Sequence, residues 1–217
     1  MRRMRNLLAA LFAIASAFAA LPAVPASAAN CSDAEVIFAR GRTEPPGIGR
    51  IGDVFVNDLR AATPKSVSVY AVNYDADTNV IQGATDMSRH IQYMVNNCPN
   101  TRLVVGGYSL GAAVIDIVLG APTAMFGYNN PLPPNANDHI AAIILFGNGT
   151  QNVFGPVSVV SAIYGGKTLD VCTDTDLICR GTIDSNDPLG SWTAHGQPAY
   201  IDSGLVYGAA QFAAERI

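Results

Sequence analysis

The sequence predicts a single α/β domain built on a parallel sheet with helices on both faces. Three observations lead there. Short runs of β-branched and apolar residues alternate along the chain with longer segments of helical periodicity. The strand-like runs are apolar throughout rather than alternating, as in strands buried on both faces. About 190 residues follow an N-terminal leader, enough for one domain with a sizeable core.

The leader comes first. "MRRMR" is basic, "NLLAALFAIASAFAAL" is apolar and "PAVPASAA" ends in small residues around Ala26-Ser27-Ala28. That layout predicts a secretory signal peptide over 1–29, cleaved after Ala28 or Ala29 and leaving a domain over 30–217. Its apolar run of about 16 residues is shorter than the roughly 20 a spanning helix needs. An exported protein with no stable membrane span is therefore expected. Without Arg2, Arg3 and Arg5 the remainder carries ten basic against 17 acidic residues, a formal charge of −7. No basic cluster remains, which argues against a nucleic-acid partner. The chain is expected to act as a monomer.

From Cys31 onward the elements follow in order. "EVIFARG" (35–41) reads as a strand and "IGRIGDVFVNDLRAA" (48–62) as a helix. "SVSVYAVNY" (66–74) is a β-branched and aromatic strand. "VIQGATDMSRHIQYMVNNC" (80–98) places Ile81, Ala84, Met87, Ile91 and Met94 at helical spacing. "TRLVVGGY" (101–108) is a strand and "LGAAVIDIVLG" (110–120) a helix stopped by Gly120 and Pro122. "IAAIILFGN" (140–148) and "KTLDVC" (167–172) make the fourth and fifth strands, and "YIDSGLVYGAAQFAAERI" (200–217) reads as one closing amphipathic helix. The segments 42–49, 126–138, 149–158 and 181–198 are rich in Gly, Pro and Asn and read as loops. Loops at the carboxyl ends of a parallel sheet's strands build its site.

Gly107-Tyr108-Ser109-Leu110-Gly111 stands where the third strand meets a helix. The G-x-S-x-G pattern alone arises by chance in about one chain of this length in fifteen. The strand-turn-helix setting is what marks Ser109 as a nucleophile on a sharp elbow. At such a turn, side chains two residues either side of the serine would strike each other or the neighbouring strand. A serine hydroxyl needs a base to take its proton, and the partners on this architecture follow in the order serine, acid, histidine. His90 precedes Ser109 and falls mid-helix. His139 directly precedes the fourth strand, at the wrong edge of the sheet. His195, in a loop before the last helix, is the candidate base.

The acid is more open, because Asp116, Asp138, Asp170, Asp174, Asp176, Asp184 and Asp187 all follow Ser109. The loop "CTDTDLIC" (172–179) leaves the fifth strand at the catalytic edge, and position alone leaves Asp174 and Asp176 tied. The four cysteines, Cys31, Cys98, Cys172 and Cys179, predict two disulfides in an exported chain, with three possible connectivities. Their spacing gives no second close pair for a metal, and no metal or other cofactor is expected. Two further patterns carry no weight. "SAIYGGKT" (161–168) has Ser161 where a phosphate-binding loop needs its first glycine, and it leads into a strand. "NGT" at Asn148 matches a glycosylation acceptor but sits at the end of the fourth strand.

Taken together, "FARGRTEPPGIG", "GGYSLGAA", "CTDTDLIC", a late histidine and cysteines at 31 and 98 resemble the cutinase family of serine esterases, in particular cutinase-like proteins exported by mycobacteria. The resemblance covers nearly the whole chain after the leader. It implies a small α/β hydrolase with a five-stranded parallel sheet and no lid. It implies Ser109 as nucleophile, His195 as general base and Asp176 as the acid, since the family's acid is the fourth residue after the first loop cysteine. It also implies the pairings Cys31–Cys98 and Cys172–Cys179. Fungal members read R-G-S-T-E after the first strand, and that serine serves the oxyanion hole with both its N–H and its hydroxyl. Here Arg42 replaces it, leaving the N–H groups of Arg42 and Leu110 as the expected donors, with Thr43 the neighbouring residue that carries a hydroxyl to substitute. The expected chemistry is hydrolysis of apolar carboxylic or lipid esters through an acyl-enzyme. Leu110, Val153, Phe154, Leu189 and Trp192 are candidate walls for the acyl group. A catalytically impaired secreted protein of the same fold and an acyltransferase are the competing readings.

Overall fold

The computed structural model describes residues 31–121, 124, 127–182 and 192–217. The expected leader over 1–29 and Leu189 lie outside them. Five parallel strands form one sheet: β1 (Ala34–Ala39), β2 (Val67–Ala71), β3 (Arg102–Tyr108), β4 (Ile140–Phe146) and β5 (Thr168–Val171), in the spatial order β2-β1-β3-β4-β5. The chain runs outward from β1 to β2, then crosses back to lay β3 on the other side of β1. The strand order reverses there, and in an open parallel sheet the crevice outside the carboxyl ends at such a reversal is the binding position.

The pleat sorts the core into two layers. Ile37, Ala39, Leu103, Val105, Ile143 and Leu145 face α2 (Val80–Asn97) and α3 (Leu110–Gly120). Their strand neighbours Val36, Phe38, Val104, Ala142, Ile144 and Phe146 face the opposite side, with α1 (Gly49–Ala62) and the C-terminal helix. Successive residues on a strand point to opposite faces, so strands covered on both sides must be apolar at every position. β1 and β4 are buried at every residue. Placing α1 on one face and α3 on the other follows from right-handed crossovers running in opposite directions from the reversal point.

The strands read as 66–74 and 35–41 are shorter than expected at their carboxyl ends. Arg40, just past the end of β1, donates from its guanidinium to the carbonyls of Tyr74 (2.7 Å) and Glu44 (2.9 Å), joining the segments that follow β1 and β2. The closing helix is two helices, α7 (Gln197–Asp202) and α8 (Leu205–Ala214), which corrects the single-helix expectation. Gly204 lies between them at φ 79°, a left-handed conformation that stops one helix and redirects the chain into the next. Short helical turns α4 (Ala136–His139), α5 (Gln151–Phe154) and α6 (Val157–Val160) occupy segments read as loops. Helices of one turn carry too few periodic positions to register in a sequence pattern.

Disulfides join Cys31 to Cys98 and Cys172 to Cys179, across separations of 67 and 7 residues. Loop-closure entropy assigns about 4 and about 2.5 kcal/mol to them in the chain-entropy model. Among the described residues, no helix is long and apolar enough to cross a membrane.

Candidate active site

Ser109 is the hinge between β3 and α3. Its φ of 53° and ψ of −111° are sparsely populated for a residue with a Cβ. The turn is held open by its two glycines. A Cβ on Gly107 would lie 2.6 Å from the Gly111 backbone, and one on Gly111 would lie 2.0 Å from the carbonyl oxygen of Ala39 in the neighbouring strand. Both contacts are with rigid backbone, so neither position accepts a side chain without displacing the elbow. The Ser109 N–H donates to the Phe146 carbonyl (2.9 Å), tying the elbow to the end of β4.

Three side chains separated widely in sequence meet at this edge. His195 Nε2 lies 2.8 Å from Ser109 Oγ, and its Nδ1 lies 2.7 Å from Asp176 Oδ2. With the carboxylate accepting from Nδ1–H, Nε2 is left as the acceptor for the serine proton. Asp176 is fully buried and His195 is 3% exposed. Every oxygen of the carboxylate is engaged. Oδ1 accepts from the Ile178 N–H (2.9 Å) and the Cys179 N–H (3.2 Å), and Oδ2 also accepts from the Tyr200 hydroxyl. Burial pushes this carboxyl up, but the hydrogen bonds from His195, Tyr200 and Cys179 outweigh it and hold the group below its ordinary value. Asp176 therefore stays ionised beside the imidazole.

The competing residues are placed elsewhere. Asp174 points into solvent and pairs with Arg180 Nη2 at 2.6 Å, so the disulfide loop offers one carboxylate to His195 and the other to the surface. His139 ends α4 directly before β4, at the amino edge of the sheet. His90 binds Glu35 Oε1 at 2.5 Å and stacks on Tyr70 at 3.5 Å, a packing role at the same far edge. Asp170 binds the Ser158 hydroxyl.

Asp116 closes a separate cluster between α3 and the loop after β4. It accepts from Asn148 Nδ2 (3.0 Å) and from the Thr150 hydroxyl, while Asn148 Oδ1 accepts from the Thr150 N–H. Burial raises the Asp116 carboxyl to about 6 against these hydrogen bonds, which lower it. A folded-state value above the unfolded one means a contribution to stability that is present below about pH 4 and lost as pH rises through 6. The melting temperature of the wild type, measured relative to Asp116→Asn, should fall between pH 4 and pH 6 and level off above. A constant gap across that window would contradict the assignment.

The expected oxyanion donors belong to two different segments at the carboxyl ends of β1 and β3. Arg42 lies in the turn after β1 and Leu110 is the first residue of α3. Among the described residues neither N–H has a protein partner. The Arg42 guanidinium turns away to Asp77 (2.8 Å) and is half exposed. Thr43, at φ 60°, donates its hydroxyl to the Arg42 carbonyl (2.7 Å), so it does not replace the missing serine hydroxyl. The Leu110 side chain packs against the α2–α3 layer. Val153 and Phe154 are 74% and 66% exposed on α5, which Gln151 and Asn152 bind to the carbonyls of Cys179 and Ile178. Trp192 is 54% exposed with its ring edge-on to His195, centroids 5.7 Å apart.

Residues not foreseen from sequence surround the histidine. The Tyr108 ring stacks on His195 at 5.5 Å and its hydroxyl donates to the His195 carbonyl at 2.5 Å. Tyr200 reaches Asp176 from α7. Gly147, at φ 57°, leaves no room for a Cβ, which would lie 2.9 Å from His195 Cε1. Tyr108 is an unspecified position of the elbow motif, and Tyr200 reads as one more apolar residue of an amphipathic helix.

A parallel sheet of this order, with a serine elbow after β3 and a histidine–aspartate pair at its carboxyl edge, is an α/β hydrolase. A family model described as Cutinase matches residues 30–217, and the chain belongs to the cutinase family. It is 53% identical over 195 residues to Probable carboxylesterase Culp2 of Mycobacterium tuberculosis, covering 90% of this chain and 84% of that one. It is 47% identical over 219 residues to Phospholipase Culp4 of the same organism, covering 100% and 92%. Among solved structures, a Trichoderma reesei cutinase in complex with a phosphonate inhibitor matches with TM-score 0.58 and 30% identity, over 81% of this chain and 77% of that one. An acetylxylan esterase matches with TM-score 0.68 at 22% identity, over 86% and 99%, and shares the fold. The chain is a carboxylic ester hydrolase of this family.

Proposed function

We propose that this protein is a secreted serine esterase that hydrolyses apolar carboxylic esters through an acyl-enzyme. The observation that carries the reading is the single imidazole within hydrogen-bond distance of both Ser109 Oγ and Asp176 Oδ2. Ser109 Oγ attacks the ester carbonyl as its proton passes to His195 Nε2, and the N–H groups of Arg42 and Leu110 receive the charge on the carbonyl oxygen. The C–O bond to the alcohol breaks as His195 returns that proton to it. Water, deprotonated by the same Nε2, then attacks the acyl-serine. The bond from the acyl carbon to Ser109 Oγ breaks as His195 returns the proton to Oγ, and the carboxylic acid leaves and ionises in solvent. Asp176, held by two backbone N–H groups and Tyr200, keeps Nδ1 protonated throughout and balances the imidazolium.

The half-exposed Trp192 beside the histidine supports an apolar acyl group at the mouth, and Val153 and Phe154 offer further apolar surface. A relative named a phospholipase at 47% identity supports lipid esters within that class. The leader over 1–29 and two disulfides support export to an oxidising compartment. The test is covalent labelling by a fluorophosphonate, read by mass spectrometry, beside hydrolysis of p-nitrophenyl esters from two to sixteen carbons. Labelling confined to Ser109, with turnover favouring chains longer than acetyl, is expected. Labelling elsewhere, or none, overturns the reading. Transfer of acyl groups to added glycerol in preference to water would make the enzyme an acyltransferase instead.

A further inference from the structure

In the turn 41–44 after β1, all amides but one are engaged. The Gly41 N–H donates to Glu44 Oε2 (2.6 Å), the Thr43 N–H to the Ala76 carbonyl (2.7 Å) and the Glu44 N–H to the Gly41 carbonyl (3.3 Å). Only the Arg42 N–H, the expected oxyanion donor, has no partner among the described residues. It is flanked on both sides by fixed peptides.

The Glu44 carboxylate does more than brace its own turn. Oε1 accepts from the Arg50 N–H (2.9 Å) in the first turn of α1 and from Gln197 Nε2 (3.0 Å) at the start of α7. Gln197 follows His195 by two residues. Gly41 also stands against the Tyr108 ring, which a Cβ there would meet at 2.5 Å, and Tyr108 holds the His195 carbonyl. One part-buried carboxylate thus joins the donor loop, a helix N-terminus and the segment that carries the base. Hydrogen bonds to an ionised acceptor are shorter and about twice as strong as neutral ones, and a carboxylate at a helix N-terminus gains from the dipole.

Building on the esterase reading, we propose that Glu44 is a positioning residue that presets the Arg42 N–H toward the oxyanion and links its loop to the histidine segment. It touches no reacting atom. Glu44→Gln is the direct test, because the amide has one acceptor oxygen for three donors and sets an NH2 group against one of them. With p-nitrophenyl butyrate, kcat should fall roughly 10- to 100-fold, the scale of a slight misplacement of a catalytic group. KM should stay within about twofold. The affinity of a trifluoromethyl ketone, whose serine adduct carries the oxyanion, should weaken by the same factor as kcat/KM. Glu44→Asp keeps the charge but shortens the reach, and should lose ketone affinity while remaining folded by circular dichroism. It serves as the test if the glutamine variant does not fold.

A folded variant with unchanged kcat and unchanged ketone affinity overturns the proposal. So does a loss of activity with ketone affinity intact, which would mark Glu44 as merely structural. Absence of ester turnover in the wild type would overturn the esterase reading instead, and the two failures are distinguishable.

Discussion

Ser109→Ala should abolish ester turnover, lowering kcat by about 10^4- to 10^6-fold, the range seen when a hydrolase loses its nucleophile and keeps only binding and oxyanion stabilisation. The fold should not follow. Alanine occupies the same backbone position, the glycines that make the elbow possible are untouched, and the deleted atom's contact is one hydrogen bond to a histidine still fixed by Asp176. Circular dichroism unchanged, a melting temperature within a few degrees of the wild type and loss of fluorophosphonate labelling are the combined expectation. Undiminished hydrolysis in this variant would remove Ser109 from the mechanism.

Asp176→Asn should be nearly as severe, with kcat lower by about 10^4-fold, because a carboxamide turns the imidazole into the wrong tautomer and cannot balance its charge. Its effect on stability should also depend on pH. Asp176 is held below its ordinary value in the fold, so its contribution is present above the unfolded-state value near 4 and lost as pH falls through the folded one. The wild type should therefore melt above the variant at neutral pH, with the gap closing below pH 4. A gap that widens on acidification would mean that the carboxylate is not stabilised as its four donors imply.

The two residues were not equally legible. Ser109 could be found because its signal is local: two glycines flanking a serine at a strand-to-helix junction stand within five residues of sequence. The clash they avoid lies partly between themselves and partly against Ala39 of the neighbouring strand. His195 could be found by elimination, since one histidine falls mid-helix and another at the amino edge of a strand. The acid could not be chosen from position. Asp174 and Asp176 are two residues apart in one loop, and the resemblance to cutinases, not the loop's own pattern, selected Asp176. The structure separates them by burial and partners: one has four donors around it, the other is fully exposed and pairs with Arg180.

The same boundary runs through the fold. By itself the sequence determined the alternation of strands and helices, the layers that cover the sheet and the serine elbow, because hydrophobic periodicity and the spacing of the elbow glycines are written within a few residues. Tertiary structure alone decided that the closing helix breaks at Gly204, that Thr43 spends its hydroxyl on the Arg42 carbonyl, and that Glu44, Tyr108 and Tyr200 surround the site. The first two turn on single backbone conformations, at Gly204 and Thr43, that hydrophobic periodicity does not report. The last depends on donors and acceptors brought together from distant elements, and a pairing such as Gln197 with Glu44, 153 residues apart, leaves no mark in the local pattern of either partner.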